Sequence, residues 1–201
     1  MPEIRINNKV FLTQTGAAEP VLASNVDLGS ALASAAFPVE ASPIQKITSQ
    51  SISGATTYSF DDVFSETYHS YEIVLTSGVW TEVAGALLMR LRTSSGDETN
   101  TIYNNRTITV SGAGAAIAEF GNNNDKWGLT YGSNTLLDAI SVHVFLQNPY
   151  LAAKTTFWGH SRDNVDQSGG SINSTIQYTG FTIFSSIATN FSGTLHIYGY
   201  R

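Results

Sequence analysis

Residues 136–147 read LLDAISVHVFLQ, the longest run in the chain that keeps strict period-two alternation. Successive side chains of a strand point to opposite faces, so Ile140, Val142, Val144 and Leu146 share one side and Ala139, Ser141, His143 and Phe145 the other. The first side is wholly aliphatic and reads as core. The second is small, aromatic and imidazole, too apolar for a plain solvated face. The run is therefore expected to be a central strand of a β-sandwich whose outer side is half covered by something else.

Working outward, strand signals begin at Ile52 and continue to the end. β-Branched and aromatic enrichment with alternation marks residues 56–60, 71–76, 87–93, 106–110, 116–120, 127–131, 155–161, 175–178, 181–184 and 194–200 as further strands. Between them lie SSGDETN, GNNND and DQSGGSINS, compositions that predict turns. FDDVFSETY alone predicts a helical turn, capped by Asp61 or Asp62. The spacing predicts an all-β fold, a jelly-roll-like β-sandwich of about 8–10 antiparallel strands over residues 51–201. No fixed period appears, which argues against a propeller or solenoid.

Residues 1–50 are of a different kind, with Phe11 and Phe37 as their only aromatic residues. Ile4 and Ile6, the pair Asn7-Asn8, then Val10 and Leu12 predict a small hairpin, because Asn tolerates the left-handed backbone of a tight turn. Beyond it the chain is rich in Ala and Ser and broken by Pro20, Pro38 and Pro43. A short helix over 28–36 capped by Asp27 competes there with an extended arm, and a helix so short is marginal without packing. Residues 1–50 are thus expected to be an N-terminal attachment arm. Its Ile4, Ile6, Val10, Phe11, Leu12, Val21 and Leu22 would lie across a neighbouring surface or add a strand to its sheet edge.

Charged residues make up only 13% of the chain, against about 25% in an average globular protein, and Ser, Thr, Asn and Gly supply its polarity. The net charge is −6 and Lys and Arg nowhere cluster, so nucleic acid is not an expected partner. There is no Cys, hence no disulfide framework and no thiolate metal site, which suits assembly in a reducing cytoplasm. MPEIRINNK lacks the apolar segment of a secretory signal, and no apolar run nears the ~18 residues of a membrane span. No membrane is expected as a partner.

Candidate chemistry is thin. His69, His143, His160 and His196 lack metal-binding spacing, and the segment from Gly159 to Asp163, GHSRD, lacks the glycines that flank a strained nucleophilic Ser. Asp163, Asn164 and Asp166 offer oxygens for a cation without the EF-hand order, and Asp61-Asp62 reads as a cap rather than a catalytic pair. No catalytic residue, metal or cofactor is expected. The sequons at Asn105, Asn173 and Asn190 signify little without a secretion signal. Trp80, Trp127 and Trp158 leave a surface glycan open as a partner, with core packing as the alternative for each.

YSFDDVFSETYHSYEIVL at 58–75, then LLMRLR, FLQNPYL and the closing SGTLHIYGYR at 192–201, resemble a β-rich domain of tailed-bacteriophage structural proteins. In that group a YxFxxVFSxxYxxYxIVL opening and a last strand ending in YGY or YGYR recur. The resemblance covers residues 50–201. It implies a virion component assembled in the host cytoplasm, a homotrimer that binds the major capsid protein or another virion protein. Capsid decoration, as a cement protein attached through the arm, is the expected function. The shortness of the chain favours it, since a fibre tip needs a stalk. A tail, head-fibre or baseplate receptor-binding module and a polysaccharide-degrading enzyme are the alternatives. The alternation in 194–200 sets Leu195 and Ile197 against His196, Tyr198 and Tyr200. These three, with His143 and Phe145, are the expected oligomer interface.

Overall fold

The computed structural model describes residues 3–6, 9–13, 21–22, 42–81, 85–111, 114–130, 140–161 and 166–201. The chain divides into two compact units, Met1–Ser42 and Pro43–Arg201.

In the first unit β1 (Glu3–Ile6) pairs antiparallel with β2 (Lys9–Thr13), the expected hairpin, with Ile4 opposite Leu12 and Arg5 opposite Val10. A third strand, β3 (Val21–Leu22), joins β2 with Leu22 opposite Leu12 and Val21 opposite Thr13. The seven apolar residues assigned to attachment therefore lie on three paired strands rather than on a hairpin followed by an extended arm. The possible helix over 28–36 lies outside the described residues.

The second unit is an antiparallel β-sandwich, with no helix among the described residues. Its elements in chain order are β4 (Ile44–Ala55), β5 (Thr57–Phe60), β6 (Ser70–Trp80), β7 (Leu87–Thr93), β8 (Gly96–Asp97), β9 (Tyr103–Ser111) and β10 (Gly114–Asn124). They continue with β11 (Trp127–Gly128), β12 (Ile140–Gln147), β13 (Thr156–Ser161), β14 (Asp166–Ile172), β15 (Gly180–Ser185) and β16 (Phe191–Tyr200). One sheet has eight strands in the order β10-β9-β14-β13-β12-β6-β16-β4; the other has β11-β7-β15-β5, with β8 paired to β7.

Eight of these strands change sheets in a regular order. If β4, β5, β6, β7, β11, β12, β15 and β16 are counted one to eight, the large sheet holds them as first, eighth, third, sixth, and the small sheet as second, seventh, fourth, fifth. Two insertions widen the large sheet: the β9–β10 hairpin, between β7 and β11, and the β13–β14 pair, between β12 and β15. They carry the strand number past the expected 8–10.

The core lies between the sheets. Ile73, Leu75, Val142, Val144, Leu146, Leu195 and Ile197 of the large sheet meet Leu87, Met89, Leu91, Phe181 and Ile183 of the small one. The aliphatic sides read from the alternation of β12 and β16 are the sides that face inward. Aromatic rings close the ends of this core: Phe181 stacks on Phe60 and Phe64, and Trp127 packs on Tyr103 and Phe157.

Several local expectations are overturned. β4 runs across the expected boundary at 50/51, so residues 43–50 belong to the sandwich. Their polar sequence suits an edge strand whose far side faces water. DQSGGSI is a strand, not a turn, because Gly170 lets the backbone of β9 approach: an added Cβ would overlap the carbonyl oxygen of Asn104. GNNN is likewise the end of β10, bulged where the register with β9 shifts at Gly121. Residues 175–178 form no strand, although Tyr178 is buried and its N–H donates to the Pro149 carbonyl at 2.8 Å. FDDVFSETY holds one turn, in which the Tyr68 N–H donates to the Ser65 carbonyl at 3.5 Å, but no helix and no Asp cap: Asp62 takes a left-handed φ of 55°, and Asp61 accepts from Arg92 Nε at 2.7 Å.

Candidate functional site

The inward side of the large sheet is used up by the core, so its outward side is where this unit presents chemistry. Cross-strand register assembles that side into rows. One row runs Ser49, His196, Val74, His143, His160, Gln167, Ile108 from β4 to β9. The next runs Lys46, Tyr198, Glu72, Phe145, Trp158, Gly169, Arg106. All five residues expected to form the oligomer interface, His143, Phe145, His196, Tyr198 and Tyr200, stand on this one side, and all are half-buried.

Neighbouring side chains hold one another in place. The rings of His143 and His160 stack 4.9 Å apart, inclined 18°, and His143 Nδ1 lies 3.4 Å from Glu72 Oε1. Phe145 stacks on Trp158 at 5.5 Å and meets Tyr200 edge-on at 5.2 Å. The Tyr200 hydroxyl donates to Glu72 Oε2 at 2.7 Å; desolvation first, and the Glu72 carboxylate second, push its pKa up to about 12. Ser49 Oγ and His196 Nδ1 are 2.8 Å apart. Under this layer Val74, on an outward position, is only 7% exposed. Glu72 is the one Asp, Glu, Lys or Arg in β6, β12 and β16 together.

The motifs behind the resemblance prove to be a packing unit. Tyr58 links two strands, accepting from the Ala55 N–H and donating to the Phe191 carbonyl, each at 2.9 Å. Tyr71 holds Ser65 through both backbone groups, and Phe64 lies on the Tyr71 ring. The opening motif then meets the closing one. The Tyr68 ring lies so close over Gly199 that a Cβ there would come within 2.5 Å of it, and the Arg201 guanidinium sits 5.9 Å from the centre of the same ring. The His69 N–H donates to the Tyr200 carbonyl at 2.9 Å.

No protein-family model matches the chain, and no curated protein or solved structure matches it. Among the described residues no three His, Asp or Glu side chains converge on a point that could hold a metal ion. His160 and Ser161 are consecutive on β13 and point to opposite sides of the sheet, His160 outward and Ser161 into the interior. They cannot act together on a substrate. Asp163 and Asn164 lie outside the described residues. Trp80 and Trp127 are core residues, whereas Trp158 is 55% exposed, the most exposed large hydrophobic residue described. Its alternation was visible in the sequence, but its ring partner on another strand was not.

Proposed function

We propose that this chain is a structural virion component, a capsid decoration protein that works by binding rather than catalysis. The strand order, first-eighth-third-sixth facing second-seventh-fourth-fifth, is what two interleaved Greek keys produce, and we read the sandwich as a jelly roll enlarged by two insertions. Its separate N-terminal unit is the address, and β16, β6 and β12 are the contact with further copies of the chain, three in the closed assembly.

The observation that carries the reading is the outward side of those three strands. A monomeric sandwich solvates that side with charged residues, yet here a single Glu serves three strands, amid two Tyr, a Phe and two His. A centre depleted of charge and rich in aromatic rings is the composition of a subunit contact. Trimeric symmetry and the place on the capsid rest on the resemblance alone. The test is the mass of the purified protein across a wide concentration range, together with labelling of particles that carry it. A closed trimer and label spread over the head are expected. A monomer at every concentration overturns the self-assembly, and label confined to the tail overturns decoration in favour of receptor binding.

A further inference from the structure

We infer that the outward side of the large sheet carries a saccharide-binding slot between Trp158 and Arg106, floored by Gly169. It goes beyond the self-assembly reading, because it lies past β12, on β13, β14 and β9.

The geometry follows from the register. Phe145 and Trp158 are directly opposed on β12 and β13, and their rings stack at 5.5 Å with planes 26° apart. Stacking across a strand pair means that both rings stand up from the sheet, with the indole turning one face to Phe145 and the other away from it. The residue next in line on β14 is Gly169, and beyond it on β9 comes exposed Arg106. From β13 to β9 is two strand spacings, about 9.5 Å. Only a glycine stands between, so a ring-sized gap remains beside the free indole face.

The gap is not a packing necessity. At Gly159 and Gly170 an added Cβ would strike the backbone of the adjacent strand, but at Gly169 it would meet nothing nearer than the Phe157 carbonyl oxygen at 3.7 Å. Close approach explains the first two glycines and leaves the third unexplained. A side chain would fit there, and its absence keeps the slot open.

The lining selects the ligand. An aromatic plate binds the C–H face of a pyranose ring by dispersion and weak C–H contacts, and the hydroxyls around that ring need hydrogen-bonding groups at its edge. Gln167 and Ser171, the outward residues on either side of Gly169, supply amide and hydroxyl groups, and Arg106 on β9 marks the far edge. At the centre of a contact with a second copy of this chain the plate would be ringed by further apolar and aromatic side chains, whereas Gly169, Gln167 and Ser171 ring this one. A nucleic acid would be opposed by the net charge of −6. The class of ligand is therefore a neutral hexopyranose oligosaccharide.

The experiment titrates the full chain with soluble oligomers of glucose, galactose, mannose and N-acetylglucosamine at millimolar concentration, reading tryptophan fluorescence. Trp80 and Trp127 are buried, so Trp158 reports. At least one series is expected to shift the emission saturably. Gly169→Val, which fills the slot, and Trp158→Ala, which removes the plate and with it the reporter and is therefore read by isothermal titration calorimetry beside the wild type, are each expected to weaken binding at least tenfold with mass and circular dichroism unchanged. Absence of any saturable shift in the wild type, or binding that survives Gly169→Val, overturns the slot. Dissociation of the oligomer by Trp158→Ala would make Trp158 part of a subunit contact instead and overturn it too.

Discussion

The Tyr200 hydroxyl donates its proton to the Glu72 carboxylate at 2.7 Å, diagonally across β16 and β6. The bond ties stability to alkaline pH. Tyr200 holds its proton up to about pH 12 in the fold, against about 10 for an ordinary tyrosine, so the contribution is complete below pH 10 and is lost as pH rises towards 12. Burial raises the pKa of Tyr71, Tyr103 and Tyr178 as well, in the same direction. The melting temperature is expected to fall steeply above pH 10, and less steeply in Tyr200→Phe. Melting curves beside tyrosinate absorbance check this; equal slopes in the two proteins would remove Tyr200 from the account.

Tyr198→Glu and Phe145→Glu, made singly, place a carboxylate in the middle of the proposed subunit contact. Both residues are half-buried and outward-pointing, so the fold tolerates the change while association does not. Mass by light scattering should drop to that of one chain in each. An oligomer that persists in both variants would show that the contact lies elsewhere.

Removing residues 1–42 is expected to leave the melting temperature nearly unchanged, since β4 to β16 pair among themselves. Removing residues 1–50 should lower it by several degrees. The longer cut takes seven residues of β4 and strips the β4 partners from Leu195 to Tyr200 on β16. Paired melts of the two truncations decide where the sandwich begins, and equal melts would put it at 51.

Phe181 is fully buried, stacked on Phe60 at 5.0 Å and on Phe64 at 5.8 Å. Phe181→Ala should cost about 3–5 kcal/mol in denaturant unfolding. A loss under 1 kcal/mol would mean that these rings repack freely.

Two glycines on neighbouring strands should respond differently to the same substitution. A Cβ at Gly159 would come within 2.5 Å of the His143 carbonyl oxygen, so Gly159→Ala forces β12 and β13 apart and is expected to cost about 1–3 kcal/mol. Gly169→Ala should change stability by no more than about 0.5 kcal/mol. Urea melts of the pair measure the difference directly.

What the sequence determined by itself was which residues share a side. Period-two alternation assigned Val142, Val144, Leu146, Leu195 and Ile197 to the core and His143, Phe145, His196, Tyr198 and Tyr200 to the opposite face, because the pleat makes that a local property of the strand. The same local logic misled at DQSGGSI, whose glycines look like a turn in isolation. They are a strand because β9 approaches them, and β9 lies more than fifty residues earlier. Tertiary structure alone decided the neighbours: that Trp158 stacks on Phe145, that Gly169 stands beside it with room for a Cβ, and that Tyr68 covers Gly199. Strand pairing is set by the packing of the whole sheet, and no period within a single strand encodes which strand lies next to it.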